Sequence, residues 1–185
     1  MKIKKTKFKG LLIFESKKFN DNRGYFRELG IEKIINKKLI FSIVSKSKKN
    51  VLRGLHMQKN KQQGKYVSVV KGEILDVVVD CRKNSKTFGK HYKIKLSDKN
   101  CKSIFVPPGF VHGFLGLKNE NIIVYSCTNY RDKKTEITIN WDDEYLKINW
   151  NIKSPILSKK DKNGLNLKIF FSNEKLKNVL YLCTQ

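Results

Sequence analysis

Apolar and polar residues along this chain fall into short strand-like runs, and long helical patterns are scarce. Runs over residues 10–15, 39–45 and 63–70 come first. A turn signal, Lys71-Gly72, separates the third from a run over 73–80. Further runs cover 91–96, 102–106, 111–117 and 121–128, and Gly, Asn, Asp or Pro punctuate them. Strands spaced about ten residues apart predict a sandwich, jelly roll or barrel. In 73–80 the residues Ile74, Val77 and Val79 alternate only imperfectly, which predicts a strand buried on both faces. One short helix is expected over 30–38, and a weak helical pattern (Leu176, Val179, Leu180) over 172–185. Pro107-Pro108-Gly109 is a rigid turn between two strands.

Composition bounds the picture. The length of 185 residues fits one domain, and 39% hydrophobic residues suffice for a core. No apolar run approaches the roughly 18 residues of a membrane helix. Near the basic N-terminus the apolar stretch covers only 11–14, too short for a signal peptide's apolar region of about 7–15 residues. A cytoplasmic protein with no membrane partner is expected. The four cysteines, Cys81, Cys101, Cys127 and Cys183, show neither CxxC pairing nor zinc spacing, and read as reduced thiols packed like small hydrophobes.

The net charge of +24 suggests a nucleic-acid partner, but only five of the 40 basic residues are Arg. The Lys residues are spread along the whole chain, as expected of a solvated surface, so a nucleic-acid partner is not expected. The charge does favour an anionic ligand such as a nucleotide diphosphate.

Candidate chemistry rests on few residues. The histidines are His56, His91 and His112. His56 closes Arg53-Gly54-Leu55-His56, and His112 follows the Pro-Pro-Gly turn. In isolation the first pattern reads as a solvated Arg and a packed His, and the second as a core His. Three dispersed histidines supply no convergent metal-ligand set, so no metal and no cofactor is expected.

A set of ordered motifs changes that reading. Phe19-Asn20-Asp21-Asn22-Arg23-Gly24-Tyr25-Phe26-Arg27-Glu28 is the first, and Val51-Leu52-Arg53-Gly54-Leu55-His56-Met57-Gln58 the second. Gln63-Gly64-Lys65, the stretch from Gly72 to Arg82, and Ser85-Lys86-Thr87-Phe88-Gly89 follow. Val106 to Phe114, Trp141-Asp142-Asp143 and Ser154 to Asp161 complete the series. Over about residues 3–170 the chain resembles the dTDP-4-dehydrorhamnose 3,5-epimerase family. The resemblance implies an all-β, cupin-like jelly-roll barrel with a few short helices, a homodimer, and a nucleotide diphosphate sugar as substrate. The 172–185 tail lies outside it.

The implied reaction is epimerisation next to a C4 ketone, through an enolate, at C3, C5 or both. His56 matches the family's base, Asp161 the carboxylate that orients it, and Lys65 the cation near the developing oxyanion. Arg23, Phe26, Glu28, Arg53, His112 and Arg131 match substrate-contact positions; Arg suits phosphate oxygens.

Two departures stand out. The resemblance implies a tyrosine acid where this chain carries Arg131 in Cys127-Thr128-Asn129-Tyr130-Arg131, and Tyr130 is one residue off. On a strand that shift turns a side chain to the other face, and Arg is a poor proton donor. Ahead of the Arg-Gly-Leu-His motif, Phe41 and Ile43 replace polar residues, which points to altered substrate preference. Single-carbon epimerisation of a variant sugar nucleotide, such as a 4-keto-heptose, and non-catalytic sugar-nucleotide binding are the alternatives.

Overall fold

The computed structural model describes residues 1–29 and 32–172. Strands β1 (Lys2–Lys5), β2 (Leu12–Glu15), β3 (Lys18–Asp21) and β4 (Gly24–Arg27) precede a short helix α1 (Glu32–Ile35). Then come β5 (Phe41–Ser47), β6 (Leu52–Gln58), β7 (Lys65–Lys71), β8 (Glu73–Asp80) and β9 (His91–Ser97). β10 (Lys102–Val106), β11 (Phe110–Gly116), β12 (Asn121–Cys127) and β13 (Glu136–Thr138) follow, with a short helix α2 (Lys159–Lys162) near the end.

Two antiparallel sheets face each other. One has the order β1-β2-β10-β7-β12-β5, the other β13-β6-β11-β8-β9. β3 and β4 form a separate two-stranded hairpin. The all-β, cupin-like jelly roll with few short helices is therefore observed. Of the tail's expected helix, residues 173–185 lie outside the described residues. Of the helix expected over 30–38, α1 covers Glu32–Ile35, and residues 30 and 31 lie outside the described residues. Asn36 takes φ +50, a left-handed geometry that ends the helical turn.

The imperfect alternation of β8 has a physical cause. Ile74 and Val78 enter the core between the sheets, with Val67, Ile104, Phe114 and Ile123. Leu75, Val77 and Val79 point to the other face. There the chain after β13 covers them with Leu146, Ile148, Trp150 and Leu167. A strand buried on both faces needs apolar residues in both registers.

Two polar features brace the ends of this frame. Asp80, fully buried, accepts hydrogen bonds from Arg82 Nε at 2.8 Å, Ser85 Oγ at 2.5 Å and Thr87 Oγ1 at 2.6 Å. Burial pushes its carboxyl up, but these donors outweigh burial and hold it at about 2. This explains why Asp80-Cys81-Arg82 and Ser85-Lys86-Thr87 go together in the sequence. At Gly54, φ is +130 and an added Cβ would lie 2.5 Å from Gly113 Cα. Only glycine lets β6 approach β11 so closely, two residues before His56.

Candidate active site

The space between the sheets opens at one end into a cavity of about 330 Å³. The five-stranded sheet supplies Arg53, His56, His112 and Phe114 to its wall. The six-stranded sheet supplies Ile43, Ser45, Lys65, Tyr125 and Cys127. The second set follows from strand periodicity: Tyr125 pairs with Ile43 and Val67, and Cys127 with Phe41 and Lys65. Alternate residues on three adjacent strands thus face inward together. Glu136, Ser158, Lys160, Asp161 and Arg131 close the rim.

His56 sits on β6 with its Nε2 2.5 Å from Asp161 Oδ1. Asp161 is 3% exposed and lies in α2, whose N-cap Ser158 donates from Oγ to Asp161 Oδ2 at 2.7 Å. Burial pushes the Asp161 carboxyl up, but the bonds from His56 and Ser158 bring it below the usual range. An ionised carboxylate only accepts, so His56 Nε2 carries the hydrogen and Nδ1 is left with its lone pair. Glu136 Oε1 lies 4.0 Å from that Nδ1.

A second buried pair lies alongside. His112, directly across from His56 in the β11–β6 register, has Nε2 2.8 Å from Asp76 Oδ2. Asp76 is fully buried on β8. The His112 ring meets Tyr125 edge-on at 6.4 Å between centroids.

Lys65 enters from the opposite sheet. Burial lowers its ammonium's pKa, partly offset by the nearby Cys127, Glu136 and Asp76. Among the described residues its Nζ has no hydrogen-bond partner, so it is free to meet an anionic oxygen. Arg53 binds Ser47 Oγ at 2.9 Å through Nε and the Lys46 carbonyl at 3.2 Å through Nη2, which leaves other guanidinium donors at the mouth.

His56, Asp161, Lys65, Arg53, His112 and Arg131, all singled out by sequence, thus converge on one cavity. Arg23, Phe26 and Glu28 do not. They lie on or just after the β3–β4 hairpin, exposed, outside the wall of this chain's cavity. Arg23 is turned to Asp21 at 2.7 Å.

Tyr130 and Arg131 fall as the one-residue shift in the sequence predicts, and the tyrosine in the cavity is another one. Tyr130 is 64% exposed, packs at a tilt against Phe41 with centroids 5.7 Å apart and does not line the cavity. Arg131 does line it. The tyrosine inside is Tyr125, which sequence reasoning missed. Its hydroxyl lies 3.2 Å from Ser45 Oγ. Burial raises its pKa well above the ordinary phenol range, despite the Ser45 bond, so it keeps its proton at neutral pH. The available signal was its even spacing from Cys127 on a strand paired with that of Lys65.

Comparison with known proteins now decides the family. A family model for dTDP-4-dehydrorhamnose 3,5-epimerase matches residues 5–168. The chain belongs to the dTDP-4-dehydrorhamnose 3,5-epimerase family. It is an isomerase, as this family's members are. The dTDP-4-dehydrorhamnose 3,5-epimerase of Methanothermobacter thermautotrophicus is 42% identical over 172 residues, spanning 89% of this chain and 93% of that protein. The crystal structure of the Elizabethkingia anophelis NUHP1 enzyme of the same name superposes with a TM-score of 0.84 at 40% identity, over 91% of this chain and 97% of that one. A Legionella pneumophila Philadelphia 1 dTDP-6-deoxy-D-glucose-3,5-epimerase, solved in complex with dTDP-4-keto-L-rhamnose, has a TM-score of 0.84 at 37% identity, covering 88% and 90%. Among the described residues of the present epimerase no helix is long and apolar enough to cross a membrane.

Proposed function

We propose that this epimerase inverts C3 and C5 of a dTDP-linked 4-keto-6-deoxyhexose. The observation that carries the reading is one cavity with the His56–Asp161 dyad on one sheet's side and the protonated Tyr125 on the other. The C4 ketone acidifies the hydrogens on C3 and C5. His56 Nδ1 takes one of them, and Asp161 stabilises the imidazolium that forms. The electron pair moves onto O4, where the Lys65 ammonium offsets the charge. Tyr125 then gives its hydroxyl proton to the opposite face of the carbon, which inverts it. The imidazolium returns its proton to solvent at the mouth, and the phenolate regains one by the same route. Arg53 supplies donors for the pyrophosphate oxygens. The Legionella complex with dTDP-4-keto-L-rhamnose supports this choice of substrate.

In heavy water, dTDP-4-keto-6-deoxyglucose incubated with the protein is expected to gain deuterium at C3 and C5 and to yield the L-rhamno isomer, read by NMR. Exchange at neither carbon contradicts the proposal. Inversion at one carbon alone replaces it with the monoepimerase reading.

The working form we propose is a homodimer in which the β3–β4 hairpin of each subunit completes the other's cavity with Arg23, Phe26 and Glu28. The support is chemical. Phe19, Tyr25 and Phe26 are 57%, 51% and 64% exposed on this one hairpin, an apolar surface that a monomer rarely leaves open. Replacing Phe26→Asp is expected to shift sedimentation from dimer toward monomer and to raise KM at least about tenfold. A dimeric Phe26→Asp protein with wild-type KM contradicts this arrangement.

A further inference from the structure

Glu136 lies 4.0 Å from the nitrogen of His56 that takes the proton, and it is gripped from both sides. Lys160 Nζ is 2.9 Å from Oε1, and Arg131 Nη2 donates to Oε2 at 2.9 Å. The separation from His56 is too long for a hydrogen bond, yet short enough for strong charge coupling.

We propose that Arg131 is a positioning residue for the base: with Lys160 it holds the Glu136 carboxylate beside the free ring nitrogen of His56 without letting it bond there. The proposal rests on the reading of His56 as the base. The family resemblance implies a tyrosine at the Arg131 position, so the grip from this side is a property of this chain.

The physical case is a balance of charges around one imidazole. Asp161 already accepts from Nε2. A second unrestrained carboxylate at Nδ1 would accept from a protonated ring as well. Two carboxylates bonded to one imidazole favour the imidazolium, which cannot take a proton from carbon. Arg131 and Lys160 prevent this in two ways: they occupy both Glu136 oxygens, and their charges offset its own. The other charged or titratable groups of the cavity are Lys65 on β7, Arg53 on β6, Tyr125 and Cys127 on β12, and His112 with Asp76 behind it on β11 and β8. None of these is paired with Glu136. Once His56 becomes an imidazolium during the reaction, the nearby carboxylate stabilises it. Glu136 thus aids the transition state while being held from trapping the ground state.

The test is NMR titration of the His56 ring in the full-length protein without substrate, with the signal assigned by its loss in His56→Asn. Arg131→Gln is expected to raise the His56 pKa by about one unit, since one cation near the ring is removed and Glu136 is freed. Arg131→Lys is expected to restore most of the original value. Glu136→Gln is expected to lower it, and in that background Arg131→Gln should move it by less than half as much. In turnover the acid limb of kcat/KM for Arg131→Gln is expected to shift upward in pH by the same amount. An unchanged or lowered His56 pKa in Arg131→Gln overturns the proposal. So does an equal shift with and without Glu136, which would mean that Arg131 acts on the ring directly. If Arg131→Gln fails to fold, the Glu136→Gln and Arg131→Lys titrations still decide: a raised pKa in the former or a large shift in the latter overturns it. Because the titration needs no substrate, failure of the proposed reaction shows separately, as absent deuterium exchange.

Discussion

Replacing His56→Asn is expected to lower kcat by about 10³-fold or more, at the upper end of what a positioned general base supplies. Deuterium wash-in at C3 and C5 should fall in parallel, because the group that lifts either hydrogen is gone. KM should change little, since the phosphate and sugar contacts come from other residues. Asp161→Asn should cost less, roughly 10²-fold, because the imidazole stays in place but loses the charge that fixes its tautomer and stabilises the imidazolium. Asp161 is 3% exposed and bonded to both His56 and Ser158. Near-UV circular dichroism of both variants separates lost chemistry from lost packing. Wash-in persisting at the wild-type rate in His56→Asn would remove His56 from the role of base.

The second large effect concerns the acid. Tyr125→Phe keeps the ring that packs against His112 and Phe114, and removes only the hydroxyl beside Ser45. Inversion is expected to drop by roughly 10²–10³-fold. His56 can still lift a proton and return a deuteron to the same face. Recovered substrate should therefore carry deuterium without being inverted, a split that a merely structural lesion would not produce. Tyr130→Phe is the control. That ring packs on Phe41 outside the cavity wall, so both rates should stay within about twofold of wild type. Inversion that survives in Tyr125→Phe and fails in Tyr130→Phe would reverse the assignment.

Much of the fold was legible because strand signals are local. β8 and β10 span the ranges the apolar runs predicted, 73–80 and 102–106. β5, β7, β9, β11 and β12 differ from expectation by one or two residues at one or both ends. Strands that lack such a run escaped. β1 is Lys-Ile-Lys-Lys, exposed along its length, and forms by pairing with β2. β13 has three residues and exists through its ladder with β6. β6 itself contains Gly54, which lowers strand propensity but is required by the approach to Gly113.

By itself the sequence determined most of the strands and the motifs that carry the family resemblance, which in turn implied the jelly roll and named His56 and Asp161: apolar periodicity and the make-up of each motif are properties of residues near one another in the chain. Tertiary structure alone decided how the cavity is manned. It brought Asp161 to His56 across 105 positions of chain. It turned Tyr125 inward, a choice of strand face made by pairing with β7 and β5. It left Arg23, Phe26 and Glu28 outside this chain's cavity, and it joined Arg131 and Lys160 on Glu136. Motif order carries none of this geometry, because which face a strand residue takes, and which distant charge meets it, depends on the register of the closed sandwich.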